Sequence, residues 1–151
     1  MKIGEICSRT VVVASKESSV TEVAKLMRTH HVGSVVVVDE GVGGVRPIGI
    51  ITDRDLVVEV LAQEVSVDAV ALVDVMSRGP VAAHEDDNLW DTLRMMRDKG
   101  VRRSPVVNAQ GHMVGLVSVD DMLDLLAEEL NDLVKLINQE QKQERKARSL
   151  G

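Results

Sequence analysis

Two stretches decide the fold of this chain: Gly49-Ile50-Ile51-Thr52-Asp53-Arg54-Asp55-Leu56 and Gly115-Leu116-Val117-Ser118-Val119-Asp120-Asp121-Met122. In both, a glycine and two aliphatic residues precede a hydroxyl side chain, and an aspartate stands three residues after that hydroxyl. The residues upstream repeat as well, since Glu5–Arg9 aligns with Asp74–Arg78. The shift is 69 residues before a loop that is three residues longer in the first copy, and 66 residues after it. Polar residues also match, which argues against a chance alignment of valine-rich segments: Ser8 with Ser77, Arg9 with Arg78, and Asp55 with Asp121.

Each copy has the same predicted order of elements. A short extended segment (Val11–Val13 or Val81–Ala83) leads through a polar turn to a helix with apolar residues at helical spacing. Two Val/Ile-rich strands follow, and then a second helix that begins at Thr52 or Ser118 with acidic residues in its first turn, as the helix dipole favours. The order is therefore β-α-β-β-α in each copy. About 60 residues alone bury a marginal core, so we expect the copies to pack together as a pair with pseudo-twofold symmetry.

The fold class that follows is α+β, with the copies at residues 2–62 and 74–128, a linker at 63–73, and a helical extension and tail at 129–151. The extension carries no Gly or Pro from Asp120 to Ala147. Its leucines and one isoleucine follow an a/d heptad spacing, which predicts a short helix–helix contact between chains: Leu123, Leu126, Leu130, Leu133 and Ile137. The alternative is a helix that packs along its own domain and then frays.

Composition excludes several classes of function. The chain of 151 residues has a net charge of −6 and contains one Trp and no Phe or Tyr, so nucleic acid is an unfavoured partner. No apolar run approaches the length of a membrane span, and no hydrophobic leader core stands at the N-terminus. The single Cys7 offers neither an internal disulfide nor a zinc motif, and we expect the cytoplasm. Neither a metal site nor a catalytic arrangement of side chains stands out.

The element order, together with Gly49-x-x-Thr52-x-x-Asp55 and Gly115-x-x-Ser118-x-x-Asp121, resembles the cystathionine β-synthase-type (CBS) domain. Two copies in tandem resemble the CBS pair, or Bateman module, here as a stand-alone module. The resemblance implies a regulatory protein that binds an adenosine-containing nucleotide between its halves. The motif suits such a ligand, because an ionised Asp accepts hydrogen bonds from ribose hydroxyls and a helix start favours phosphate. The alternative is that the hydroxyl and the acid simply cap their own helix.

The resemblance also implies two clefts related by the repeat. The first cleft would be lined by Cys7, Val12, Val32, Gly33, Arg102, Arg103, Ser118 and Asp121. The second would be lined by Met76, Val81, Val101, Thr52, Arg54 and Asp55, with Gly33, Ser34 and Arg102 also facing it. Because two arginines stand where the first copy has Gly33 and Ser34, we expect the first cleft to bind phosphate more tightly. The alternative is that both arginines form an exposed basic edge.

The leading hypothesis is therefore a sensor of AMP, ADP or ATP, with the nucleotide as a regulatory ligand that binds with or without Mg²⁺ and no catalytic cofactor. We expect a homodimer, no catalysis, and an output made through an unidentified partner protein, since the chain leaves no room for a catalytic domain. The alternatives are a scaffold without a physiological ligand, or a sensor of S-adenosylmethionine or of a dinucleotide such as NAD.

Overall fold

Two β-sheets organise the computed structural model, which describes residues 1–79 and 81–150 and, for Arg78, the backbone alone. The first sheet has the strand order β1-β2-β3-β4: β1 Val13–Ser15, β2 Ser34–Gly41, β3 Gly44–Thr52 and β4 Ser77–Arg78. The second has the order β5-β6-β7: β5 Ala83–His84, β6 Arg103–Val107 and β7 Met113–Ser118. The α-helices among the described residues are α1 Ile3–Ile6, α2 Val20–His30, α3 Asp53–Asp55, α4 Leu72–Val75, α5 Leu89–Lys99 and α6 Val119–Leu150. The predicted α+β order is confirmed.

The chain divides into two compact units, residues 1–118 and the helix α6 that follows them. The first unit contains both sheets and helices α1 to α5. The second unit is a single helix of 32 residues, which confirms the long uninterrupted helix predicted from residue 120 onward.

The repeat is visible in strand register. β1 is parallel to β2 and β2 antiparallel to β3, just as β5 is parallel to β6 and β6 antiparallel to β7. The antiparallel register shifts after Val37 in the first copy and after Val106 in the second, which are equivalent positions. A β-bulge is thus present at the same place in both copies. It changes the direction of the strand that ends at Thr52 in the first copy and at Ser118 in the second.

Local sequence accounts for the helices that precede these strands. Ser19 caps α2, because its side chain accepts a hydrogen bond from the Glu22 N–H, and Asn88 caps α5 through the Trp90 N–H. Both caps were predicted. Each helix ends on a residue in the left-handed conformation, His31 (φ 54°) and Gly100 (φ 65°), at equivalent positions. The chain then turns directly into the residues that start β2 and β6.

The second helix of the first copy differs from the expected α-helix. After the three residues of α3, it continues as a π-helix over Leu56–Leu61, followed by a 3₁₀ turn over Val67–Ala69. Its apolar spacing fits either helix type, so the sequence pattern could not distinguish them. Val60 from this segment is buried in the core of the first copy.

The beginning of each copy crosses over to the other copy. Leu72 and Val75 of α4 lie in the same buried cluster as Val23 and Ile51 of the first copy. Reciprocally, the Ile3 N–H donates to the Asp87 carbonyl, and the Gly4 N–H to the Glu85 carbonyl, each at 2.9 Å. The two copies are therefore interlocked within one unit and share their cores.

An ion pair adds to the first of these crossings. Lys2 Nζ lies 2.7 Å from Asp86 Oδ1, and this hydrogen bond holds the pKa of the Asp86 carboxyl below, and the pKa of the Lys2 ammonium above, their ordinary values. Both side chains are largely exposed, so the pair aligns the crossing segment and adds little stability.

Two glycines permit the crossings. Strand β4 pairs with β3, with Arg78 opposite Gly49, and Ser8 makes the equivalent antiparallel bridge to Leu116, beside Gly115. The side chains of Met76 and Cys7 lie directly over these glycines, so a Cβ at Gly49 would stand 2.5 Å from Met76 Sδ and one at Gly115 would stand 2.7 Å from Cys7 Sγ. The glycine of each motif is therefore required by close packing of the exchanged segment.

Candidate functional site

Two cavities open in the first unit, and the repeat relates them. The first has a volume of about 280 Å³ and is lined by Thr10, Val11, Val12, His31, Val32, Gly33, Ser34, Arg103 and Leu116. The second has a volume of about 380 Å³ and is lined by Ile50, Thr52, Arg54, Ser77, Gly100, Val101, Arg102 and Arg103. Five positions correspond: His31 with Gly100, Val32 with Val101, Gly33 with Arg102, Ser34 with Arg103, and Leu116 with Ile50. We call them the first and second cleft.

Four residues predicted for the first cleft line it in the structure: Val12, Val32, Gly33 and Arg103. Cys7 is instead buried over Gly115, as a small hydrophobe. Ser118 ends β7, where it pairs with Arg103, and is not among the described residues that line the cavity. Asp121 belongs to the first turn of α6 in the second unit.

Four residues predicted for the second cleft line it: Thr52, Arg54, Val101 and Arg102. Met76 lies over Gly49, and the Val81 carbonyl accepts a hydrogen bond from the buried Ser104 hydroxyl. Gly33, which was expected at both clefts, and Ser34, which was expected at the second, line the first.

Thr52 and Asp55 form a capping box at the start of α3. Asp55 Oδ2 accepts from the Thr52 N–H at 2.9 Å, and Thr52 Oγ1 accepts from the Asp55 N–H at 3.1 Å. Both side chains therefore do the capping work that the sequence left open as an alternative. A hydroxyl that accepts one bond still has its proton to donate, so Thr52 keeps a donor at the edge of the second cleft.

The arginines are distributed differently from the sequence-based expectation. Arg102 was expected at both clefts but is among the described lining residues of the second alone, whereas Arg103 was expected at the first and lines both. Both arginines line the second cleft, and of the two only Arg103 is also among the described residues that line the first. With Arg54, the second cleft has three arginines and no acidic residue among its described lining residues. It is the more cationic of the two clefts.

Sequence reasoning missed several lining residues. These are Thr10, Val11, His31 and Leu116 in the first cleft, and Ile50, Ser77 and Gly100 in the second. The signal for two of them was present, because His31 and Gly100 are equivalent in the repeat and each follows a helix that leads into a cleft. Asp53 is not among the lining residues, but it lies beside Gly33, since its Oδ2 would be 3.2 Å from a Cβ added there.

A third and larger cavity, of about 720 Å³, lies between α2 and residues 56–67. Its described lining residues are mostly valine, leucine and alanine, and Glu64 is the charged one among them. Its described lining residues include no Lys, Arg or His to bind an anion, so the two smaller clefts are the better candidates for a phosphate ligand.

Residues 1–79 and 81–150 contain neither a metal-binding cluster of side chains nor a helix that could span a membrane. No group of three or more His, Cys, Asp or Glu side chains is placed to hold a metal ion. Within the same residues, none of the helices combines the length and apolarity needed to cross a membrane.

Comparison with known sequences gives a family. The CBS domain model matches residues 3–62 and 72–128. An uncharacterised protein of Methanopyrus kandleri is 38% identical over 125 residues, which cover 83% of this chain and 62% of that protein. The CBS domain-containing protein YhcV of Bacillus subtilis is 32% identical over 112 residues, or 74% of this chain and 76% of YhcV.

Solved structures agree with the fold. The CBS domain pair of protein MJ0100, in complex with 5′-methylthioadenosine and S-adenosyl-L-methionine, has a TM-score of 0.72 and 27% identity, covering 85% of this chain and 98% of that one. The CBS domain protein PAE2072 of Pyrobaculum aerophilum, complexed with AMP, has a TM-score of 0.71 and 24% identity, covering 80% of this chain and 89% of that one. The chain belongs to the CBS domain family and contains two CBS domains in tandem.

Proposed function

We propose that this chain is a regulatory sensor that binds an adenosine-containing nucleotide, AMP, ADP or ATP, in the clefts between its two CBS domains. The observation that carries the proposal is the second cleft, where Arg54, Arg102 and Arg103 meet without an acidic residue among the described lining. Arginine is suited to phosphate because its planar guanidinium donates paired hydrogen bonds. The related MJ0100 pair, bound to two adenosyl compounds, supports adenosine as the other part of the ligand.

The remaining groups suit a nucleoside. Aliphatic side chains line both clefts, such as Val32 in the first and Ile50 in the second, and they would enclose the base in a chain without Phe or Tyr. For the sugar we propose Ser118 in the first cleft and Asp55 in the second, where the Asp55 oxygen not used in the capping box would accept from ribose hydroxyls. The role expected for Asp121 stays a prediction.

The proposed output is a change of conformation passed through a homodimer to a partner protein. A nucleotide can shift such an equilibrium only by its differential affinity for the two conformations. The dimer would form through α6, because Leu130, Leu133 and Ile137 of its heptad seam are 63%, 58% and 55% exposed. We expect no catalysis, and the cytoplasmic location stays a prediction.

Thermal unfolding tests the proposed ligand. AMP, ADP and ATP are tested with and without Mg²⁺, beside adenosine, NAD and S-adenosylmethionine. A ligand at 100 times its Kd stabilises a protein by about 2.7 kcal/mol. For a chain of this size, that raises Tm by roughly 5–10 °C. We expect this rise with at least one of the three nucleotides, and a clearly smaller one with adenosine at the same concentration.

The other ligands in the panel decide between the alternatives. A response to S-adenosylmethionine alone would contradict the proposal that the ligand is AMP, ADP or ATP. It would favour a sensor of S-adenosylmethionine, a compound present in the MJ0100 complex. A response to none of the compounds would contradict the sensor and favour a scaffold.

Truncation after Asn138 tests the dimer. The variant keeps the heptad seam through Ile137 but removes the basic end of the helix, with Lys142, Arg145, Lys146 and Arg148. A second variant, Leu130→Glu/Leu133→Glu, places charges within the seam itself. We expect sedimentation to show a dimer for the full chain and monomer for the double variant, with the truncation shifted only partly toward monomer. A double variant that remains fully dimeric would place the interface elsewhere.

A further inference from the structure

Arg103 is the residue that both clefts share. It begins β6 opposite Ser118, is half-buried, and lines each of the two cavities. Within residues 1–79 and 81–150, its guanidinium has no ion pair or hydrogen bond that would hold it toward either cleft. Its equivalent in the repeat, Ser34, is short, neutral and confined to the first cleft.

The clefts depend on Arg103 to different degrees. In the second cleft it stands beside Arg54 and Arg102. In the first cleft it is the one arginine among the described lining residues, and the carboxylate of Asp53 lies close to Gly33 on that side. A phosphate therefore finds a cationic site in the second cleft even before Arg103 turns toward it, whereas a phosphate in the first cleft relies on Arg103.

We infer that Arg103 couples the two clefts negatively: a phosphate in the second cleft recruits this guanidinium and weakens phosphate binding in the first. The inference rests on the proposed function and adds a specificity rule to it. One guanidinium can direct its hydrogen-bond donors at one phosphate at a time, and a charge-assisted hydrogen bond is worth about tenfold or more in affinity. The second cleft fills first, and the first fills only at higher nucleotide concentration. A ligand without phosphate is not subject to the coupling.

Site-resolved AMP titration tests the coupling. The amide resonances of Gly33 and Gly100 report the first and second cleft separately. Ser77→Trp fills the second cleft from the exposed side of β4, and Val101→Trp does so from the opposite copy if the first variant unfolds. In the chain with Arg103, we expect Ser77→Trp to strengthen AMP binding at Gly33 about tenfold or more. In the Arg103→Gln background, where the first cleft binds AMP weakly throughout, the same change should alter affinity less than about twofold.

Two controls isolate the guanidinium. Adenosine should bind at Gly33 equally well with and without Ser77→Trp, because it carries no phosphate. Arg28→Gln, on the exposed face of α2 and outside both clefts, should leave the coupling intact. Thermal unfolding without ligand shows that each variant is folded.

The outcomes separate this inference from the proposed function. If AMP binds at both glycines but the blocking variants leave its affinity at Gly33 unchanged, the coupling is overturned and the sensor stands. If blocking acts equally in the Arg103→Gln background, Arg103 is not the coupling residue and the inference is again overturned. If neither glycine responds to AMP at millimolar concentration, the proposed function fails and the coupling fails with it.

Discussion

Replacing Arg54 and Arg102 together by Gln is expected to weaken AMP binding in the second cleft by roughly 100-fold or more, because each charge-assisted hydrogen bond to phosphate contributes about 1.5–3 kcal/mol. Both residues line this cleft, and they approach it from different copies of the repeat. Arg103 remains, so weak binding should persist. Calorimetry with AMP and the shift of the Gly100 amide resonance measure the loss.

A matched pair of substitutions controls for the change in net charge. Lys25→Gln/Arg28→Gln removes two positive charges from the exposed face of α2, away from both clefts, and should leave the Kd for AMP within about twofold. Adenosine binding should hardly change in either double variant. If adenosine and AMP lost affinity equally in the arginine variant, the arginines would be shaping the cleft and not binding the phosphate.

Replacing Gly49 by Ala is expected to destabilise the fold by about 1–3 kcal/mol and to lower Tm by several degrees, because the added methyl group overpacks the crossing of β3 and β4. The new Cβ would lie 2.5 Å from Met76 Sδ and 2.7 Å from the Ser77 carbonyl oxygen. A thioether can move aside, but the carbonyl belongs to the backbone of a paired strand. The same shift displaces Ser77, which lines the second cleft, so AMP affinity should fall together with stability.

Two further glycines make this result specific. Gly115→Ala should be equally costly, since its Cβ would lie 2.7 Å from both Cys7 Sγ and the Ser8 carbonyl oxygen. Gly41→Ala, at the end of β2, would meet only the Gly44 carbonyl oxygen at 3.6 Å, an ordinary contact. It should change stability by no more than about 0.5 kcal/mol. Equal melting temperatures for Gly41→Ala and Gly49→Ala would show that the exchanged segment is not packed as the structure has it.

Much of the fold could be predicted because its signals are local or repeated. The caps at Ser19 and Asn88 are read from a few neighbouring residues, and the strand–helix order follows from hydrophobic spacing. Comparison of the two copies then placed the clefts' valines, Val32 and Val101, at equivalent positions, and both line cavities. Because the pattern occurs twice, each copy gave an independent check on the elements predicted for the other.

The sites were less predictable because they depend on which copy each segment meets. Nothing within a few residues of Met76 shows that it lies over Gly49 in place of a ligand, or that Cys7 does the same over Gly115. The capping box of Thr52 and Asp55 was legible as one of two alternatives, and only the hydrogen-bond geometry shows it formed. Hydrogen bonds that can be made locally compete with those made to a ligand, and the sequence does not rank them.

By itself, the sequence determined the duplication, the order of elements in each copy, the long last helix and the excess of arginine in the second copy. These features follow from residue spacing and composition, which can be read without knowing which distant segments are in contact. Only the tertiary structure decided that the copies exchange their first segments, that Arg102 is not among the described residues lining the first cleft, and that Arg103 lines both. Side-chain direction alternates with every residue of an extended chain, so the cleft that each arginine faces is set by long-range strand pairing and not by its place in the sequence.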